Sequence, residues 1–309
     1  MNEIVKIDNQ AIVTTIDNDA RLSMIKGMVL NGLQPNSYRA YNRALTEFIG
    51  WYVNSSYNSL SRASVMAHVE FLRQTGITDK SINQRLAAIR KLAKEAAYNG
   101  LIDSNTAHGI IDIDNIKIKG KKLGNWLTKK EVENALSLPN TQTPKGLRDR
   151  AILAVLFGAG LRREELCNLT IQQLQQRDGR WVIANIEGKH GKTRSVPIAA
   201  WIKAVIDKWL EHYQTDGFVF PSMRKGGHLS TEQLTPDAVY KLVKEYLPNI
   251  APHDLRRTFG ILAYKGGADL KQIQLTYGHD SIETTERYLN VAQDLQNAPS
   301  DAIKLDIVI

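Results

Sequence analysis

The segment that most constrains the fold is KIKGKKLGNWLTKK, residues 117–130, because it interrupts the hydrophobic pattern in the middle of the chain. Six lysines surround two glycines there, a composition typical of a linker and not of a packed helix or strand. The parts of this 309-residue chain on either side are each long enough for a hydrophobic core. We therefore expect two domains, joined by a linker at residues 116–127.

The half before this linker has the period of amphipathic helices. Apolar residues recur at helical spacing over about residues 35–52, 61–75 and 79–99, and a glycine follows the second and third of these stretches. We predict an all-helical domain over residues 31–115, with a short helix or loose arm at residues 1–30.

The third predicted helix has a basic face opposite its apolar one. A net charge of +8 and a pI of about 9.4 favour a polyanionic partner, and lysines on an extended linker suit a phosphate backbone. Solvated surface charge is the alternative for both features. The predicted DNA-binding residues of the helix and linker are Arg90, Lys91, Lys94, Lys117, Lys119, Lys121 and Lys122.

The half after the linker mixes helices and strands. Thr128 and Glu131 have the spacing of a capping box, and RDRAILAVLFGAG predicts a buried helix. The runs WVIANI and TRSVPI, joined through EGKHGK, predict a β-hairpin. The expected fold class is mainly α with a small β-hairpin or sheet in the C-terminal domain: a helical domain followed by a mixed α+β domain at residues 128–295.

This second domain contains two arginines, two histidines and a tyrosine in contexts that favour a phosphate site. Arg162 follows the flexible GAGL, while His253 and Arg256 are three residues apart and share one side of a helical turn. His279 follows a glycine and stands nine residues before Tyr288. An arginine fork grips two phosphate oxygens, and a phenol can act as a nucleophile. Taken singly, each residue is more often surface charge or packing.

Phosphodiester cleavage without a metal needs a nucleophile, cations, an acid and a proton acceptor. The sequence lacks HExxH and CxxC motifs, close carboxylate groups and a GxxxxGK[ST] loop, so we expect neither a metal nor ATP as cofactor. Lys189, at the hairpin turn, could protonate the leaving oxygen. By charge alone, Lys192 and Arg194 are equal candidates.

The segments GLRREEL, GKHGKTRSVPI, HDLRRT and GHDSIETTERY, in this order, resemble the signature segments of the tyrosine recombinase (phage integrase) family. The resemblance covers most of residues 125–295. It favours Lys189 as the hairpin acid, leaves Lys192 and Arg194 as DNA-binding residues, and makes Glu165 a supporting residue. The catalytic residues that it implies are Arg162, Lys189, His253, Arg256, His279 and Tyr288.

The chain departs from the family pattern at one point. The last segment begins TYGH, whereas many members have LLGH or LMGH, so that Tyr277 replaces an aliphatic residue. We interpret this as a change in packing that leaves the pocket residues in place.

The resemblance also implies a function and an assembly. The expected enzyme is a site-specific DNA recombinase that cleaves and rejoins strands through a 3′-phosphotyrosyl intermediate, with a SAM-like core-binding domain before the catalytic domain. Expected partners are duplex DNA with an inverted-repeat core site, three further protomers in a tetramer on two DNA sites, and an accessory DNA-bending or directionality factor. The apolar tail at residues 296–309 could dock on a neighbouring protomer or on its own domain.

The biological role has alternatives. Integration or excision of a mobile element is the first, a Xer-like chromosome or plasmid dimer resolvase the second, and a non-catalytic architectural DNA-binding protein a third of another class. No apolar run is long enough for a signal peptide or membrane span, and the single cysteine, Cys167, is expected to fill core space. We therefore expect a cytoplasmic protein with no membrane partner.

Overall fold

The computed structural model describes residues 9–118, 125–188, 191–224 and 228–289. They form two compact units, divided between Lys122 and Leu123. The described residues are mostly helical with small antiparallel sheets, which confirms the predicted fold class. Within these ranges no helix is both long and apolar enough to cross a membrane. The tail at residues 296–309 lies outside them.

The regular secondary structure in the described residues of the first unit is all helical. Ser61 and Thr78 cap two of its helices by accepting backbone N–H groups, and Gly76 and Gly100, with positive φ, follow the same two helices at their other ends. Local signals therefore account for both ends of these two helices. The helices are α1 (Asn9–Leu30), α2 (Pro35–Val53), α3 (Arg62–Gln74), α4 (Asp79–Tyr98) and α5 (Ser104–Ile111).

Helix α1 differs from the short helix or loose arm expected at residues 1–30. It is 22 residues long, and Leu22, Ile25 and Val29 are buried in the core of the first unit. Their spacing of three and four residues places them on one face. Exposed methionines at positions 24 and 28 lie between them and weaken the periodic signal in the sequence, which is why packing reveals this face more clearly than the pattern does.

The first unit buries a histidine that has no polar partner. His68 is 1% exposed, and neither ring nitrogen has a hydrogen-bond partner among the described residues. Its ring packs against Phe48, Trp51 and Phe71, with centroids 5.1, 4.9 and 6.0 Å away. Burial lowers the pKa of His68 to about 4, with the charge of Glu47 opposing this shift.

The first unit should therefore lose stability in mild acid. Because the folded pKa lies below the unfolded value of 6.5, the stability from neutral His68 is complete above pH 6.5 and falls as pH drops from 6.5 towards 4. At pH 5.5 the loss is about 1.4 kcal/mol. Hydrogen exchange of α3 amides in the whole protein, compared at pH 7.5 and 5.5, measures it. His68→Phe should remove this part of the pH dependence, and an equal loss in both proteins would contradict the assignment.

The second unit packs helices around two small sheets. The predicted hairpin is present, with Val182 opposite Pro197 and Glu187 opposite Thr193. Its described elements are α6 (Lys129–Ser137), α7 (Pro144–Ala159), α8 (Arg163–Cys167), β1 (Leu174–Arg177), β2 (Arg180–Glu187), β3 (Thr193–Pro197), α9 (Ala200–Leu210), β4 (Pro221–Met223), β5 (Leu229–Gln233), α10 (Pro236–Tyr246), α11 (Pro252–Lys265), α12 (Leu270–Tyr277) and α13 (Ile282–Leu289).

Three strands go beyond the predicted hairpin. Strand β1 pairs antiparallel with β2 and extends the hairpin to three strands, and β4 pairs with β5 in a separate sheet. The sequence of β1, LQQR, lacks the alternating apolar pattern of a half-buried strand, and β4 has only three residues. Strands β1 and β4 therefore form because β2 and β5 lie beside them in the fold.

Helix α7 forms the centre of the second core. Its residues 151–157 are buried, as its apolar sequence predicts. Cys167, 2% exposed, packs in the same core, and burial raises the pKa of its thiol to about 12. The prediction that Cys167 fills core space is confirmed. The predicted capping box is also present, since Thr128 and Glu131 bond each other's backbone N–H groups.

Candidate active site

The end of α7 sets the position of Arg162. Gly160 adopts a left-handed conformation (φ 60°), and a Cβ at this position would lie 2.5 Å from the ring of Phe259. Both constraints favour glycine. The turn directs Leu161 into the core and leaves Arg162 as the N-terminal cap of α8, with its side chain 35% exposed.

Glu165 is the carboxylate that organises the arginines. The backbone N–H and Nη1 of Arg162 donate to its Oε2 and Oε1 at 2.8 and 2.6 Å. Nη1 and Nη2 of Arg194 donate to the same oxygens at 3.0 and 2.7 Å, and Nη1 of Arg256 lies 3.8 Å from Oε2. The supporting position predicted for Glu165 is thus where the three arginine side chains meet.

The charge of this cluster is unbalanced. Burial opposes ionisation of Glu165, but the hydrogen bonds and charge of Arg194, with those of Arg162, outweigh it and lower the pKa of the carboxyl to about 2. Three guanidinium groups therefore face one carboxylate, which leaves two positive charges. A phosphodiester anion is a natural counterion for such a cluster.

Arg256 joins three parts of the second unit. It is 2% exposed on α11; Nη1 donates to the carbonyl of Gly160 and Nη2 to the carbonyl of Tyr277, the latter at 2.6 Å. Burial and the nearby charge of Arg162 lower the pKa of its guanidinium to about 10. The guanidinium has five N–H donors, so those not bonded to the carbonyls can still serve a ligand.

Tyr288 lies beside His253. Its Oη donates to the backbone carbonyl of His253 at 3.2 Å, and the two rings make an edge contact with centroids 5.3 Å apart. Burial raises the pKa of Tyr288 to about 12, and the charges of Arg256 and Arg257 oppose the rise. Arg257 donates to the Tyr288 carbonyl at 2.6 Å, and its guanidinium carbon lies 5.4 Å from the centroid of the Tyr288 ring. It therefore helps to hold α13.

His279 is held by a residue that the sequence did not single out. Its Nδ1 lies 2.9 Å from Oγ1 of Thr285, which is fully buried on α13. Burial and the charges of Arg256 and Arg162 lower the pKa of His279 to about 4, so the ring is neutral at pH 7. Thr285 lies three residues before Tyr288 on a short helix, so the two residues share one face. This spacing is the sequence signal that could have identified Thr285 as part of the site.

The hairpin residues have different surroundings. Lys189 lies outside the described residues, so its position stays a prediction. Nζ of Lys192 pairs with Oδ1 of Asp280 at 2.7 Å, an exposed contact. Arg194 uses Nη1 and Nη2 on Glu165 and donates Nε to the carbonyl of Thr276 at 2.8 Å. These contacts favour a role for Arg194 inside the pocket, and its predicted DNA binding is untested.

The predicted DNA-binding face of α4 is partly engaged within the first unit. Arg90 donates to the side chain of Asn115 at 3.0 Å and to the carbonyl of Ile113, and Nζ of Lys91 donates to the carbonyl of Val29 at 3.3 Å. Lys94 lies 5.6 Å from the ring centroid of Tyr98. Lys117 is exposed. Lys119, Lys121 and Lys122 lie outside the described residues.

Five of the six predicted catalytic residues thus lie together in one cluster, which we call the pocket: Arg162, His253, Arg256, His279 and Tyr288. In the described parts of the chain, no cluster of three or more His, Cys, Asp or Glu side chains could hold a metal ion.

Known families match both halves of the chain. Residues 125–294 match the phage integrase family, and residues 28–100 match the phage integrase N-terminal SAM-like domain. The chain belongs to the phage integrase family. It is a site-specific tyrosine recombinase, as its four signature segments predict.

Relatives and solved structures agree with this membership. The recombinase is 30% identical to tyrosine recombinase XerD of Listeria monocytogenes over 86% of this chain and 91% of that one. It is 28% identical to XerD of Pseudomonas aeruginosa over 85% and 89%. Its fold is similar to that of XerH recombinase bound to difH (TM-score 0.68, 21% identity, 98% and 90% covered) and of a lambda integrase dimer bound to a core site (0.67, 16%, 98% and 85%).

Proposed function

We propose that this recombinase cleaves duplex DNA one strand at a time by attack of Tyr288 on the scissile phosphate. The observation that carries the proposal is the surplus of two positive charges around Glu165, with the Tyr288 phenol at the same pocket. The phenolic oxygen bonds to phosphorus as the bond to the 5′-oxygen breaks. The products are a 3′-phosphotyrosyl bond and a free 5′-hydroxyl, and attack by a 5′-hydroxyl reverses the step.

The pocket residues have separate roles in this step. Arg162 and Arg256 bind the non-bridging oxygens and hold the charge that develops on them. Because Nδ1 of His279 is bonded to Thr285, Nε2 is the nitrogen left to contact the phosphate. His253, whose pKa is lowered by burial and by Arg256, is neutral and accepts the phenolic proton. Lys189 protonates the leaving 5′-oxygen, so that neither a metal nor ATP takes part.

The proposed partners follow from the reaction. XerH and lambda integrase are seen bound to DNA, difH and a core site respectively, and the net charge of +8 suits the same class of partner here. We extend this to an inverted-repeat core site held by four protomers on two duplexes, with an accessory DNA-bending or directionality factor. We also predict a cytoplasmic location, because a bacterial or phage recombinase finds its DNA there.

Two biological roles fit this chemistry. The sequence favours integration or excision of a mobile element. The relatives named XerD align over most of both chains, which supports a Xer-like dimer resolvase as a second candidate. A non-catalytic architectural DNA-binding protein is the third alternative. The nucleophile beside a charged pocket speaks against it, because such a protein needs neither.

Covalent capture tests the proposed function. The protein is incubated with DNA from around its own gene and from the chromosome, quenched with detergent, and the DNA bound to protein is sequenced. We expect capture through a 3′-phosphate at an inverted repeat; repeats that flank the gene indicate a mobile element, and a single chromosomal site indicates a Xer-like role. Tight specific binding without capture would favour the non-catalytic alternative.

A further inference from the structure

The ring of Tyr277 contacts three of the proposed catalytic side chains. Tyr277 is the last residue of α12 and is fully buried. Its ring centroid lies 4.4 Å from the guanidinium carbon of Arg256, 4.9 Å from the ring of His279 and 5.4 Å from the ring of Tyr288. The planes of the first two rings, Tyr277 and His279, are inclined by only 30°, whereas Tyr288 meets Tyr277 edge-on at 83°. Such geometry is favourable for cation–π and aromatic contacts.

Tyr277 and Arg256 also bind each other at two points. Oη of Tyr277 donates to the carbonyl of Arg256 at 2.7 Å, and Nη2 of Arg256 donates to the carbonyl of Tyr277 at 2.6 Å. With the guanidinium stacked on the ring, these bonds fix both the end of α12 and the direction of the arginine fork. A fork held in this way keeps its geometry before a phosphate arrives.

The neighbouring helix is shaped for this phenol. A Cβ at Gly260 of α11 would lie 1.9 Å from Oη of Tyr277 and 2.7 Å from Cδ2 of Leu289. Glycine inside a helix is unfavourable for stability, so its presence here needs a reason. The space that it leaves is occupied by the hydroxyl of Tyr277. The leucine or methionine found at this position in many family members has neither a hydroxyl nor a flat face.

We propose that Tyr277 is a positioning residue of this recombinase: its ring is the platform on which Arg256, His279 and Tyr288 are oriented for strand cleavage. The inference rests on the catalytic roles proposed above. An aliphatic side chain is smaller and has no hydroxyl for the space beside Gly260; it offers no π face to a guanidinium and no donor to the Arg256 carbonyl. Tyr277 acts through these three residues and does not itself touch DNA.

The test compares Tyr277→Leu, Tyr277→Phe and a matched control, Tyr246→Phe. The control removes another hydrogen-bonded tyrosine hydroxyl of the second unit, the one that donates to Asp149 at 3.0 Å. For each protein three quantities are measured: the single-turnover rate of covalent complex formation at saturating protein, the Kd for the same DNA, and the melting temperature. Rates are compared at a temperature where all variants are folded.

We expect Tyr277→Leu to slow cleavage on the order of 10²-fold, because small displacements of reacting groups have effects of this size. Tyr277→Phe, which loses one hydrogen bond, should slow it about fivefold. The Kd of both Tyr277 variants should stay within about twofold of the wild-type value. The rate and Kd of the Tyr246→Phe control should stay within the same range. If Tyr277→Phe cleaves at the wild-type rate and Tyr277→Leu cleaves slowly, the result still supports the ring as the platform.

Two results would overturn the inference. One is cleavage by Tyr277→Leu at the wild-type rate. The other is a fall in cleavage rate that is explained by a lower melting temperature or a higher Kd, so that the protein that is folded and bound to DNA still cleaves at the wild-type rate. Failure of the proposed function gives a different result, since the wild-type protein itself would then form no covalent complex in this assay.

Discussion

Tyr288→Phe should abolish the covalent protein–DNA complex and leave DNA binding intact. The substitution removes the oxygen that attacks phosphorus and keeps the ring that contacts His253, Tyr277 and His279. Among the described residues the hydroxyl makes one long hydrogen bond, to the His253 carbonyl at 3.2 Å, so its loss should cost little stability. The wild-type protein and the variant are compared by detergent-quenched gels and by Kd on the captured DNA.

Tyr246→Phe is the matched control, because it also removes one tyrosine hydroxyl from the second unit. It should form covalent complex like the wild-type protein. Covalent product from Tyr288→Phe would mean that another residue is the nucleophile. Loss of DNA binding together with cleavage would mean that the substitution disturbs the fold and would call for a reassessment of the role of Tyr288.

Arg162→Ala should slow cleavage by at least ~10²-fold, the scale of losing one charged partner of a transition state. The variant keeps the backbone N–H that donates to Glu165 at 2.8 Å, so the start of α8 should survive. What it loses is a partly exposed guanidinium, together with the bond from its Nη1 to Glu165 at 2.6 Å. Single-turnover cleavage at saturating protein measures the effect apart from DNA affinity.

Arg163→Ala is the neighbouring control, since this exposed arginine is adjacent in sequence and, within the described parts of the chain, its hydrogen bonding is one long contact, 3.4 Å, to the carbonyl of Pro236. It should cleave at nearly the wild-type rate. Arg256→Lys extends the test to the buried arginine by keeping charge and losing the fork, and it should also slow cleavage by ~10²-fold. Rates near wild type for Arg162→Ala would show that the pocket is assigned to the wrong residues.

The sequence determined the local architecture of this protein. Caps such as Ser61 and Thr128, glycines after helices, and apolar periods predict where most helices begin and end, because each depends on hydrogen bonds within a few residues. The hairpin and the two-part division follow from equally local patterns. The order of four short segments was enough to indicate the family and the residues of its pocket.

Tertiary structure decided which groups those residues bind. Glu165 binds Arg162, three residues away, and Arg194, 29 residues away on β3, and no local pattern shows that the bond to Arg194 exists. Likewise, the basic face of α4 turns out to place Lys91 on the carbonyl of Val29, 62 residues away, and the strands β1 and β4 form only because partners lie beside them.

Tyr277 shows the same division in a single residue. Its sequence context marks it only as an aromatic residue where an aliphatic one is common. Its buried contacts with Arg256, His279 and Tyr288, and the space left by Gly260, exist only once α11, α12 and α13 are packed together. Periodicity and caps are properties of neighbouring residues and can be read along the chain. The direction of a long charged or aromatic side chain depends on what the rest of the fold places around it.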